Sequence, residues 1–125
     1  MPKILIAEDD TILAKMYSSR FEFESYEVVV AYDGKEALGK IYKERPDLII
    51  LDIMMPKKSG MEALEEIREK EAFSNIPVII LTALSNPKMQ EKAQELEAKY
   101  FVKSEILLPK LVEIVKEELR LTVSK

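Results

Sequence analysis

Five short apolar runs punctuate the chain: Ile4-Leu5-Ile6-Ala7, Val28-Val29-Val30, Leu48-Ile49-Ile50-Leu51, Val78-Ile79-Ile80-Leu81 and Tyr100-Phe101-Val102. Unbroken runs of this length, without apolar–polar alternation, suit strands buried on both faces of a parallel sheet. The segments between them carry helical spacing. Asp10 or Thr11 can cap a helix bearing Ile12, Leu13, Met16, Tyr17 and Phe21. Asp33-Gly34-Lys35-Glu36 and Ser59-Gly60-Met61-Glu62 both have capping-box spacing. The first opens a helix through Ala37, Leu38 and Ile41 that ends at Arg45-Pro46; the second opens one with Leu64, Ile67 and Arg68. Gly39 sits inside the former helix with no reason visible in the sequence. Asn86-Pro87 supplies a cap and a first-turn proline for a polar helix through Leu96, and Pro109 opens a last helix to about Leu121.

Strands alternating with helices predict an α/β domain: a doubly wound, five-stranded parallel sheet with right-handed crossovers and five helices on its two faces. In a flavodoxin-like order of 2-1-3-4-5, the first strand lies beside the third. No linker or low-complexity segment divides the chain, so residues 1–125 are expected to form a single domain.

Composition narrows the chemistry. The chain is 47% hydrophobic and 34% charged, as a globular domain is, and its net charge of −4 argues against a nucleic-acid partner held by charge. The longest apolar runs fall far short of the roughly 20 residues that span a bilayer, and no signal peptide is visible, so a cytoplasmic protein without a membrane partner is expected. With no cysteine and no histidine, disulfides, thiol catalysis and a histidine base are excluded.

Open parallel sheets bind ligands beyond the carboxyl ends of their strands, at the switch point of strand order, so the residues just past each apolar run are the candidates for chemistry. Glu8-Asp9-Asp10 stands after the first run, Asp52 after the third, Thr82 after the fourth and Lys103 after the fifth. Carboxylates gathered there would repel one another, and a hard divalent cation such as Mg²⁺ relieves that repulsion. A lysine and a threonine beside such a cluster make sense if an anion also arrives. A phosphoryl group fits Mg²⁺, Lys103 and Thr82 together, with Asp52 as the carboxylate nucleophile in reach.

Glu8-Asp9, Asp52, Thr82-Ala83 and Lys103, with Met55-Pro56 and Ser59-Gly60 after the acceptor, resemble the receiver domain of two-component response regulators over essentially the whole chain. The resemblance implies that Asp52 accepts a phosphoryl group from a sensor histidine kinase or histidine phosphotransfer protein. It implies Mg²⁺ (with Mn²⁺ as a substitute) on Asp9, Asp52 and the backbone carbonyl of Met54, helped by Glu8. Lys103 would pair with the phosphoryl oxygens, Thr82 would move to hydrogen-bond them, and Tyr100 would respond as a second switch residue. Such a protein is not an enzyme beyond its own phosphorylation and slow dephosphorylation; it acts by altering the binding of a protein target.

Three features depart from the family pattern. Lys103 precedes serine, not proline, so a trans bond is expected after it. Glu97-Ala98 replaces the usual Gly-Ala, in a connection one residue short. Met54 and Leu84 are apolar where flanking side chains orient water, which implies a long-lived phosphoryl-aspartate. On the last helix Leu108, Leu111, Val112, Val115 and Leu119 share the core face, while Leu107, Ile114 and Leu121 form a second stripe that either packs against the first helix or serves a partner, a homodimer included. Beyond that helix stand only Thr122-Val123-Ser124-Lys125, so no output domain is expected unless the chain is part of a longer regulator. Three other readings fit less well. A haloacid-dehalogenase-like phosphatase wants a second Asp at position 54, and a flavin site wants a phosphate-binding loop where the three acids stand. A receiver-like module that is never phosphorylated is opposed by the intact site residues.

Overall fold

A computed structural model describes residues 1–123, and Ser124 and Lys125 of the expected tail lie outside the described residues. Strands β1 (Lys3–Ala7), β2 (Glu27–Ala31), β3 (Leu48–Leu51), β4 (Val78–Thr82) and β5 (Lys99–Val102) form one parallel sheet in the order β2-β1-β3-β4-β5. Helices α1 (Thr11–Phe23), α2 (Gly34–Glu44), α3 (Gly60–Glu69), α4 (Pro87–Glu95) and α5 (Leu108–Val123) alternate with them. The fold is the doubly wound one expected.

The unbroken apolar runs are explained by two cores. Alternate residues of one strand point to opposite faces. Leu5, Ala7, Ile49, Leu51, Val78 and Ile80 enter a core closed by α2, α3 and Ala93 of α4. Ile4, Ile6, Leu48, Ile50, Ile79 and Leu81 enter another closed by α1 and α5. The edge strands β2 and β5 are only partly buried, and their runs are correspondingly weaker.

The helix caps match the sequence closely, with one refinement. Asp10 caps α1 through the N–H groups of Ile12 and Leu13, and Asn86 caps α4, whose first residue is Pro87. The reciprocal capping box of Ser59 and Glu62 is complete. At α2, Asp33 accepts from the Glu36 N–H, but the Glu36 carboxylate reaches one residue further back, to the Tyr32 N–H at 2.8 Å. Arg45 ends α2 in the left-handed region, out of the right-handed helix as its proline neighbour requires.

The face of α1 differs from the expectation. Ala14, Tyr17 and Phe21 are buried, but Ile12 is 80% exposed and Met16 also faces solvent. On α5, Leu111, Val112, Val115 and Leu119 are buried as expected, and Leu108 is half-buried against the same core. The second stripe splits: Ile114 packs partly on the α1/α5 core, whereas Leu107 and Leu121 are exposed.

The altered connection before β5 closes compactly. Glu97 adopts φ of 56°, its N–H donates to the Gln94 carbonyl, and the Ala98 N–H donates to the Ala93 carbonyl at 2.8 Å. That is a Schellman ending with glutamate in the left-handed position that glycine usually takes. Arg68 reinforces it, donating to the carbonyls of Leu96, Glu97, Ser74 and Ile76.

Candidate functional site

Register brings the site together. Ala7 pairs with Leu51, so the next residues, Glu8 and Asp52, emerge side by side at the carboxyl edge. Their backbone N–H groups still belong to the sheet: Glu8 donates to the Ala31 carbonyl and Asp52 to that of Ala7, each at 3.0 Å. Thr82 pairs with Val102, which places Lys103 one step beyond the threonine.

Glu8 and Asp52 are buried, at 3% and 5% exposure, at the edge of a sheet whose other buried residues are apolar except for Thr82. Burying a carboxylate is costly unless it is paired and hydrogen-bonded, and both conditions are met. The Lys103 ammonium lies between them, 2.5 Å from Glu8 Oε1 and 2.7 Å from Asp52 Oδ2. The remaining oxygens accept backbone donors, Glu8 Oε2 from Asp10 N–H at 3.1 Å and Asp52 Oδ1 from Met54 N–H at 3.2 Å.

Burial pushes the Glu8 carboxyl above its ordinary pKa, against the pull of Lys103 and the Asp10 N–H, and the Asp52 charge adds to the rise. Burial also works against the charge on Lys103, but Asp52 and Glu8 together outweigh it and hold its pKa above the usual lysine value. Lys103 therefore stays an ammonium at neutral pH. The sequence suggests that Lys103 awaits an incoming anion; the structure shows it first neutralising the acid pair.

Asp9 is exposed, and one carboxylate oxygen from each of Glu8, Asp9 and Asp52 lies within 4.8 Å of the others. Ligands on an octahedral ion with bonds near 2.1 Å sit about 3–4.2 Å apart, so a small closure of these hard oxygens suits a divalent cation. Asp10 does not join them: its Oδ1 is committed to capping α1.

Thr82 is fully buried, and its Oγ1 faces the Leu84 N–H at 3.4 Å. The Tyr100 hydroxyl donates to the Leu84 carbonyl at 2.6 Å. Leu84 thus ties Thr82 to Tyr100 through its own two backbone groups, a link that residue types alone do not reveal. Its side chain is half-buried against the core, while Met54 stands 56% exposed beside the carboxylates. No cis peptide occurs among the described residues, so Lys103–Ser104 is trans as expected.

A parallel sheet of this order, bearing an acid cluster, a lysine and a threonine on its carboxyl edge, defines a receiver-type signalling domain. Residues 4–116 match the response regulator receiver domain family, and the chain belongs to it, a component of two-component systems. Among curated proteins it is 44% identical over 84 residues to one of Galdieria sulphuraria named probable transcriptional regulator ycf27. That match covers 67% of this chain and 32% of the relative, so the chain spans about a third of the relative's length. Among solved structures it superimposes on a Francisella response regulator receiver domain with a TM-score of 0.89 at 32% identity, covering 98% of this chain and 99% of that one. It also superimposes on the Thermotoga maritima response regulator TrrA, solved in complex with Mg²⁺-BeF, with a TM-score of 0.83 at 35% identity, over 94% of this chain and 99% of that one.

Proposed function

We propose that this domain is a phosphoryl-accepting switch, with Asp52 as the acceptor and a sensor histidine kinase or histidine phosphotransfer protein as the donor. The observation that carries the reading is the Lys103 ammonium held 2.7 Å from a buried Asp52 within a cluster that also contains Glu8 and Asp9. An Asp52 oxygen attacks phosphorus, forming a P–O bond as the P–N bond to the donor imidazole breaks; the freed imidazole takes its proton from solvent. Glu8, Asp9, Asp52 and the Met54 carbonyl would hold Mg²⁺, or Mn²⁺ in its place, which when bound neutralises charge on the transferring phosphoryl oxygens.

Lys103 presents its ammonium to the same oxygens once the phosphoryl group stands on Asp52. Thr82 accepts from Leu84 N–H, so its own hydroxyl proton is free to be donated. A shift of Thr82 toward the phosphoryl group draws on Leu84, whose carbonyl holds the Tyr100 hydroxyl. The change therefore reaches β5, where a target could read it. The Mg²⁺-BeF complex of TrrA supports the same assignment.

Met54 and Leu84 offer no group to orient an attacking water, so the acyl phosphate is long-lived. The chain performs no other catalysis, and its partners are a histidine-containing donor and a protein target, in the cytoplasm. Among the described residues no helix is long and apolar enough to cross a membrane. Intact-protein mass spectrometry after incubation with acetyl phosphate and Mg²⁺ tests the assignment. A phosphoryl adduct is expected on the wild type and absent from Asp52→Asn; an adduct of equal yield on the variant would overturn it.

A further inference from the structure

The two helices flanking the loop after Asp52 open alike, with a capping side chain and then glycine: Asp33-Gly34 at α2 and Ser59-Gly60 at α3. Neither glycine has a positive φ, so backbone freedom does not explain them. Space does. A Cβ on Gly60 would lie 2.8 Å from the carbonyl carbon of Asp52 and closer still to its oxygen. A Cβ on Gly34 would lie 2.6 Å from the carbonyl carbon of Lys58, again closer to the oxygen, and 2.9 Å from the Lys58 Cβ. Backbone cannot yield as a flexible side chain can, so either methyl would push the loop.

Gly60 adjoins Asp52 directly. Gly34 instead meets the far end of the loop, at Pro56 and Lys58. Its N–H faces the Pro56 carbonyl at 3.4 Å, and the Lys57 ammonium lies 3.5 Å from the Asp33 carboxylate. The free N–H groups of a helix start favour carbonyl oxygens placed against them. The loop turns tightly there, with Lys57 at φ of 68° and the Lys58 N–H on the Pro56 carbonyl at 2.7 Å. Its other end places the Met54 N–H on Asp52 Oδ1.

We propose that Gly34 is a positioning residue for phosphoryl transfer: by seating the Lys58 backbone on the start of α2, it fixes residues 53–58 and with them the Met54 peptide over Asp52. The inference rests on the acceptor role proposed for Asp52. Gly39, exposed on the same helix with nothing within 4 Å of a Cβ built on it, is a matched control.

Glycine occurs only at positions 34, 39 and 60 in the sequence, so ¹⁵N-glycine labelling gives three backbone amide signals. Adding Mg²⁺ and beryllofluoride to the wild type is expected to shift the amides of Gly34 and Gly60 and leave Gly39 in place. Uptake of phosphoryl from acetyl phosphate, measured per folded molecule, is expected to fall about tenfold or more in Gly34→Ala, as small misplacements of reacting groups do. Gly39→Ala should match the wild type. A purely structural role would lower the melting temperature of Gly34→Ala and leave that rate unchanged. Wild-type uptake by Gly34→Ala, or a Gly34 amide that stays still while Gly60 moves, overturns the inference alone. A wild type that takes up no phosphoryl group overturns the acceptor role and this inference with it. If Gly34→Ala does not fold, the wild-type amide shifts decide.

Discussion

Replacing Lys103 by methionine removes the charge that makes the acid pair tolerable while keeping most of the side chain's volume. Glu8 and Asp52 are both nearly inaccessible, and each has an oxygen within 2.7 Å of the Lys103 ammonium. Breaking a buried ion pair by deleting one partner costs about 3–5 kcal/mol. A carboxylate has an escape, however: it can take up a proton. At pH 7 that costs an ordinary carboxyl about 3.5 kcal/mol, and at pH 5 about 1 kcal/mol. The loss on Lys103→Met is thus capped, and we expect about 2–3.5 kcal/mol at pH 7 shrinking to about 1 at pH 5. The sign comes from Glu8, whose pKa burial already raises and which loses the opposing pull of Lys103. A raised carboxyl stabilises the fold in its protonated form, an advantage that fades as pH climbs through the folded-state value. The variant therefore gains on the wild type as pH falls. Urea denaturation at the two pH values, with and without millimolar Mg²⁺, reads this directly. Mg²⁺ should restore more stability to Lys103→Met than it adds to the wild type. A loss that does not change with pH, or an equal Mg²⁺ increment in both proteins, would refute the reasoning.

Three further outcomes are expected. Gly39→Ala should raise stability by about 0.5–1 kcal/mol in thermal denaturation, because the site is exposed, helical and sterically open. Arg68→Met should lower it by about 2–3 kcal/mol, since it strips a charged donor from four carbonyls at the end of α4 and before β4; a loss below about 0.5 would show that water replaces the arginine freely. Met54→Asn with Leu84→Glu should shorten the phosphoryl half-life, read as decay of the adduct after acetyl phosphate is removed, by about tenfold or more. An unchanged half-life would show that these side chains do not govern the attacking water.

The strands were legible because each is fully apolar between polar ends, and the two-core arrangement demands that pattern. The site was legible for the same reason: a charged residue straight after a buried strand has one place to be. The face of α1 was not legible, because Ile12 and Met16 place apolar residues on the side opposite Ala14, Tyr17 and Phe21, and spacing alone does not decide which side turns inward. Equally hidden were contacts made by backbone. In the sequence Arg68 is only one residue of the third helix, and its partners are carbonyls whose positions no residue type announces. Gly34 showed only as part of a cap, although the repeated pairing of cap and glycine at α2 and α3 was a visible signal.

The central claim is that Asp52 itself carries the phosphoryl group. Treating the Mg²⁺- and acetyl phosphate-incubated protein with borohydride reduces an aspartyl phosphate to homoserine, and peptide mass spectrometry then locates the reduced residue. Homoserine at position 52 alone, absent when Mg²⁺ is withheld, is the predicted result. Reduction at Glu8, Asp9 or elsewhere with Asp52 intact, or no reduction in a folded protein, would contradict it.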